Sequence, residues 1–261
     1  MKFGICGGPD LAASAERACF DYMEWSVGAF LKPRESYARF ADSMAAARRA
    51  GSSWPVVNCF IPADLKVTGD HVSTAELETY VTTACARAQE AGVETIVFGS
   101  GGARRIPEGF DGGRAHEQIR HFSVMAATVA ETFGVTIAVE PLNRSECNVM
   151  TSVRECAALV REVNHPSLRL LVDAYHLMLD DDALEDVVAN GDLLVHVHLA
   201  TVPNRRPPGA EPCNFVPFFE ALATAGYDGR VSLEGRISDP DAELPPARSM
   251  LEKLSRIQAQ P

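Results

Sequence analysis

Four apolar runs in the second half of the chain end on side chains that can share electrons with a cation. IAVE ends on Glu140, LLVD on Asp173 and VSLE on Glu234, while LLVHVHL carries His196 and His198. Three carboxylates and an imidazole gathered at one place repel one another unless a cation neutralises them. Oxygen ligands with one imidazole suit a hard-to-borderline divalent ion, Mn²⁺ first, with Mg²⁺ or Co²⁺ as substitutes. A structural zinc site is not indicated, because no cysteine belongs to the set. The expected ligands are therefore Glu140, Asp173, His198 and Glu234. His196 and His198 share one strand face by the two-residue period, and His196, deeper in its run, is expected to pack or to support its neighbour. Taken singly, a strand-end acid is as often a helix cap or half of a salt bridge. Four in order on successive runs carry the argument.

These residues need elements that deliver them to one rim. Strand-like runs recur at Phe3–Cys6, Tyr22–Ser26, Pro55–Phe60, Thr95–Gly99, Thr136–Glu140, Leu168–Asp173, Leu193–Leu199 and Arg230–Glu234. Each is rich in β-branched or aromatic residues and bounded by Gly, Pro, Asn or Asp. Between them, apolar residues at three- and four-residue spacing predict helices around Arg34–Ala50, Thr74–Ala91, Arg114–Phe133 and Ser152–Val163. Thr74 with Leu77–Glu78 and Ser152 with Glu155 read as helix starts, and Gly51, Gly92, Gly134 and Gly226 as left-handed caps. Continuous runs such as TIVFGS and LRLLVD suit strands buried on both faces of a parallel sheet. Eight such units, the first and sixth with short helices, predict a (β/α)8 TIM barrel spanning residues 1–261 as a single domain. Its site lies at the C-terminal strand ends.

Composition narrows the function. The 261 residues carry 24 Lys+Arg against 35 Asp+Glu, a formal net charge of −11. That balance argues against a nucleic-acid partner, which needs clustered cations. Nowhere do 18 apolar residues run together, so no membrane span is expected. The N-terminus, MKFGICGGPD, is too broken by glycine and Pro9 to read as a signal peptide. The 7 cysteines include no CxxC pair, and they are expected to be buried, reduced and uninvolved, as in a cytoplasmic protein.

Six segments together resemble a known family: FGSGGAR (Phe98–Arg104), VEPLNRSE (Val139–Glu146), VDAYH (Val172–His176), HVHLA (His196–Ala200), NRRPPG (Asn204–Gly209) and SLEGR (Ser232–Arg236). In order and spacing they resemble the xylose isomerase-like TIM-barrel superfamily of sugar isomerases and epimerases, within it the D-tagatose/D-psicose ketose 3-epimerases. The resemblance implies a Mn²⁺-type ion on Glu140, Asp173, His198 and Glu234, with Glu140 and Glu234 also the catalytic acid/base pair. It implies substrate hydroxyls held by Glu146, His176 and Arg205. The expected partner is a small sugar or sugar phosphate, and relatives pair as dimers or tetramers, so a homo-oligomer is expected.

The chemistry so implied is removal of a proton next to a carbonyl, with the enediolate charge stabilised by the cation. A hydroxypyruvate isomerase-like aldose–ketose isomerase or a polyol dehydratase could use the same ligands, because fold and metal do not fix the substrate. A carbohydrate-binding barrel without catalysis would need neither glutamate. An endonuclease IV-like nuclease would need histidines where the third and fourth runs end near Asn58 and at Ser100, and an Asp-x-His in TVPNRRPPG. The chain departs from the resemblance after HLA, where Thr201 replaces a frequent acid and one extra residue precedes Asn204. RxPPG favours Arg205 over Arg206. Cys6, Glu24 and Asn58 line the rim where selectivity is expected. Arg104–Arg105 and Arg205–Arg206 could cradle a phosphate, although Arg104 is more simply expected to pair with a nearby acid.

Overall fold

Eight parallel strands close into one barrel in chain order, with β1 hydrogen-bonded to both β2 and β8. The computed structural model describes residues 1–257. The strands are β1 Lys2–Cys6, β2 Tyr22–Ser26, β3 Val56–Asn58, β4 Thr95–Phe98, β5 Thr136–Val139, β6 Leu168–Asp173, β7 Leu194–Leu199 and β8 Arg230–Leu233. A helix follows each: α1 Ala12–Arg17, α2 Tyr37–Ala50, α3 Thr74–Ala91, α4 Gly112–Thr132, α5 Val153–Val163, α6 Leu184–Ala189, α7 Val216–Thr224 and α8 Pro240–Leu254. The architecture is the (β/α)8 TIM barrel expected from the alternating pattern. As expected, α1 and α6 are short, at 6 residues each. No helix among the described residues is long and apolar enough to cross a membrane.

Local chemistry explains the element ends. Ser152 caps α5 by accepting from the Glu155 N–H at 3.2 Å, and the Glu155 carboxylate reaches back to the Thr151 N–H at 2.7 Å. Ser73 caps α3 by accepting from the Glu76 N–H, and the helix begins at Thr74, as expected. Gly51 and Gly92 close α2 and α3 at φ +74° and +73°, which a Cβ would disfavour. The third strand is shorter than its apolar run. Pro55 contributes no N–H, and Cys59 turns the chain at φ +52°.

Two apolar layers hold the barrel. Outward strand residues such as Ile5, Val57, Ile96 and Val172 pack against the helices in the main core. Inside the barrel, Tyr22, Val56, Val97, Ala138 and Leu171 form a separate buried plug. The Tyr22 ring fits there because β1 carries Gly4 opposite it. A Cβ at Gly4 would lie 2.2 Å from Tyr22 Cε2. Above the plug the interior turns polar. Register places Cys6 beside Glu24, Asp173 beside His198, and His198 beside Ser232.

Gly4→Ala should therefore overpack the barrel and cost about 1–3 kcal/mol. Thermal unfolding should show a fall of several degrees, and an unchanged Tm would contradict this account of the plug.

Candidate metal centre

The C-terminal strand ends enclose a cavity of about 860 Å³ bounded by Cys6, Glu24, Asn58, Glu140, Glu146, His176, Arg205 and Glu234. Strand geometry sets the depth of each group. Glu140 and Glu234 stand one residue beyond β5 and β8, Asp173 ends β6, and His196 and His198 alternate inward along β7. Donor atoms of Glu140, Asp173, His176 and Glu234 all lie within 4.8 Å of one another. Asp173 Oδ2 and His176 Nε2 are buried there without a hydrogen-bond partner. Burying a carboxylate oxygen unpaired is costly, so the Asp173 side of the set fits a cation, whereas His176 Nε2 calls for a partner from the cavity. Its shape differs from the sequence expectation in one respect: His176 stands in the converging group where His198 was expected.

His198 is nonetheless turned toward the same carboxylates. Its Nδ1 lies 3.0 Å from Glu140 Oε1 and 3.7 Å from Glu234 Oε2, while its Nε2 lies 2.9 Å from Glu24 Oε1. With a cation bound, Nε2–H donating to Glu24 would leave the Nδ1 lone pair free to ligate, the usual carboxylate–histidine–metal arrangement. The bonds around His176 run the other way. Its Nδ1 accepts from the Asn143 backbone N–H at 3.2 Å and from the Asn143 side-chain amide at 2.7 Å. A neutral imidazole accepting at Nδ1 carries its proton on Nε2. His176 thus presents a donor to the cavity, suited to a sugar oxygen.

Charge in this layer is set by burial and by close partners. Burial pushes Glu234 up to about 7, with Glu140 and Asp173 adding to the rise and His198 and Arg205 opposing it. Burial acts on Glu140 in the same sense, but the hydrogen bond and charge of His198 outweigh it and hold that carboxyl low. Burial disfavours the His198 cation, yet Glu24, Glu234 and Glu140 hold its pKa well above the usual imidazole range. Glu24 is held well below the usual carboxylate range, because His198 and His196 overcome its desolvation.

Glu24, expected only as part of the rim that sets selectivity, is fully buried and holds other side chains as well. It sits at the centre of a network in which His196 Nε2 approaches Oε2 at 2.9 Å and the Ser232 hydroxyl donates to it at 2.6 Å. Tyr22 Oη joins at 2.9 Å from Ser232 Oγ. His196 thus supports Glu24, as its depth in the run suggested. The available signal was parity, since Tyr22 and Glu24 alternate on one face of β2. Asn143 was also missed; its side-chain amide donates to Glu146 at 3.1 Å as well as to His176.

Arg205 reaches the cavity from the loop after β7. It donates to the Glu234 carboxylate and to Glu146 at 3.3 Å, and its guanidinium lies 4.8 Å from the Tyr175 ring centroid. Arg206 turns away, donating to Ser238 and Glu243. The expectation for Arg104 needs correction. It is fully buried and donates to the carbonyls of Phe98, Glu140 and Met150 at 3.1, 2.8 and 3.2 Å, and among the described residues no acid is bonded to it. It ties the ends of β4 and β5 together and is not exposed to a phosphate. Arg105 donates to the Ser145 carbonyl. The cysteines are all free, but only Cys85, Cys147 and Cys156 are buried, so the expectation that all are buried is also corrected.

A model of the xylose isomerase-like TIM barrel family matches residues 11–258. The chain belongs to that family. It is similar to a D-psicose 3-epimerase of Ruminiclostridium cellulolyticum, 32% identical over 122 residues, which are 46% of this chain and 40% of that protein. It is also similar to the 3-dehydro-D-guloside 4-epimerase of Escherichia coli, 31% identical over 128 residues, 49% of this chain and 47% of that one. The chain spans less than half the length of these two curated relatives. The fold matches a crystal structure of a D-psicose 3-epimerase in the presence of D-fructose, with a TM-score of 0.85, 18% identity, and 98% and 99% of the two chains covered.

Arg104→Met should leave the buried Glu140 carbonyl without its donor, whereas the Phe98 and Met150 carbonyls keep the backbone N–H groups of Glu140 and Leu142. Urea unfolding should show a loss of about 1–3 kcal/mol, the scale for one buried group left unpaired. A variant as stable as the parent would refute the clamp.

Proposed function

We propose that the protein is a divalent-metal-dependent ketose epimerase that inverts C3. The observation that carries this reading is the pair Glu140 and Glu234, two carboxylates from different strand ends whose donor oxygens lie within 4.8 Å of each other at the cavity. Epimerisation needs one group that takes a proton and one that gives a proton to the opposite face. Two positioned carboxyls at one cavity can supply both. Support also comes from the similarity to the psicose and guloside epimerases.

The residues proposed to hold the metal are Glu140, Asp173, His198 and Glu234. When bound, the ion would polarise the substrate carbonyl and stabilise the enediolate charge. Mn²⁺ suits the donor set, with Mg²⁺ or Co²⁺ as alternatives. Within the chain, one glutamate abstracts the C3 proton while the other returns a proton from across the ring of ligands. His176 donates through Nε2–H to a substrate oxygen. Glu146 and Arg205 hold neighbouring hydroxyls, and Arg205 keeps the Glu234 carboxylate oriented. An aldose–ketose isomerisation would instead use one glutamate to move a proton between adjacent carbons.

Glu140→Gln and Glu234→Gln should each lower kcat/KM for a ketose by at least about 10²–10⁴. Rates near the parent for either would sink the mechanism. Chelator should abolish turnover and Mn²⁺ restore it. Chromatography of the products should show the C3 epimer; an aldose product would favour the isomerase reading, and turnover indifferent to chelator would overturn the metal assignment.

A further inference from the structure

Beside the proposed metal ligands, a different donor set converges. Cys6 Sγ, a Glu24 oxygen and a His198 nitrogen all lie within 4.8 Å of one another. Cys6 and Glu24 border the same cavity as the upper ligands, so an ion entering by the cavity can reach them. Among the described residues Cys6 Sγ makes no hydrogen bond, whereas Glu24 and His198 are already oriented toward each other at 2.9 Å. Tetrahedral bond lengths of about 2.0 Å to nitrogen or oxygen and about 2.3 Å to sulfur put neighbouring donors about 3.5 Å apart. The cysteine therefore has to close by little more than about 1 Å from the observed upper limit.

We propose that Cys6, Glu24 and His198 form a second, thiophilic cation site that inhibits the enzyme by taking its histidine. One thiolate, one imidazole and one carboxylate suit Zn²⁺ or Cd²⁺, with water from the cavity as fourth ligand. Mn²⁺ and Mg²⁺ prefer the oxygen-rich upper set. The two sites compete because they share one imidazole. The nitrogen facing Glu24 is Nε2, and Nδ1 faces Glu140 and Glu234. A cation held by Cys6 and Glu24 takes the Nε2 lone pair and places the ring proton on Nδ1. That proton then donates to Glu140, and the upper site loses its nitrogen ligand. Binding replaces the Cys6 thiol proton, which leaves to solvent; no bond is oxidised or reduced. The inhibitory half of this proposal rests on the catalytic reading of Glu140 and Glu234, whereas the binding half does not.

The test adds Cd²⁺ to Mn²⁺-loaded protein and follows both the ultraviolet sulfur-to-cadmium charge-transfer band and ketose turnover. Parent, Cys6→Ala, Cys6→Ser and Cys59→Ala are compared, with inhibition taken relative to each variant's own Mn²⁺-loaded rate and folding checked by circular dichroism. A charge-transfer band is expected in the parent and in Cys59→Ala, absent in both Cys6 variants. Removing the thiol, a direct ligand, should weaken Cd²⁺ inhibition by at least about 10–100-fold, the loss that follows when only an outer-shell partner of a ligand is removed. Excess Mn²⁺ should relieve inhibition of the parent. A band that survives loss of Cys6, or no band in the parent, overturns the site. A Cys6-dependent band with unchanged turnover overturns the competition through His198. If the protein turns over no ketose at all, the band still decides the binding, so failure of the catalytic reading is told apart from failure of this one.

Discussion

Everything at the mouth of this barrel depends on how His198 is held between carboxylates. Glu24 faces one ring nitrogen, and Glu140 and Glu234 face the other. Acids so close together in a low-dielectric interior are tolerated only with positive charge among them. His198 and Arg205 are the side chains set against these carboxylates. The signs agree across neutral pH. Glu24, held low, contributes stability that is present at neutrality and lost as pH falls through its folded value. His198, held high, contributes stability that is full below its unfolded value and lost only as pH rises through the raised one.

The barrel beneath serves this arrangement. Gly4 gives up a side chain so that Tyr22 can fill the interior, and the Tyr22 hydroxyl then meets Ser232, whose own hydroxyl donates to Glu24. An apolar plug thus passes directly into the polar network that orients the histidine. On the opposite side Arg104 joins the ends of β4 and β5, fixing the backbone from which Glu140 projects. These are structural supports, but each sets the aim of a group in the cavity.

The fold was legible because βα alternation writes itself as alternating period and composition. Strand ends gave Glu140, Asp173 and Glu234, since a polar residue closing an apolar parallel strand has few places to go but the rim. The boundary of β3 was not legible, because the path of the chain beyond Asn58 is set by a left-handed turn at Cys59 and not by hydrophobicity. Glu24 carried a signal in its parity with Tyr22, but its role depends on His198, far away in sequence, meeting it across the barrel. The same is true of Arg104: its motif read as a surface cradle or a salt bridge, whereas packing turned it inward onto carbonyls. His176 shows the limit most clearly. Its position was foreseen, but only the two Asn143 donors reveal which nitrogen carries the proton.

We propose that one cation binds through His198 while His176 remains a donor to substrate. Anomalous diffraction from crystals soaked in Mn²⁺ tests it most directly. The account predicts one ion in the cavity, in contact with Glu140, Asp173, His198 Nδ1 and Glu234, with the Nδ1 of His176 still bonded to Asn143. An ion ligated by His176 with His198 outside its reach, or no ion bound at saturating Mn²⁺, would contradict it.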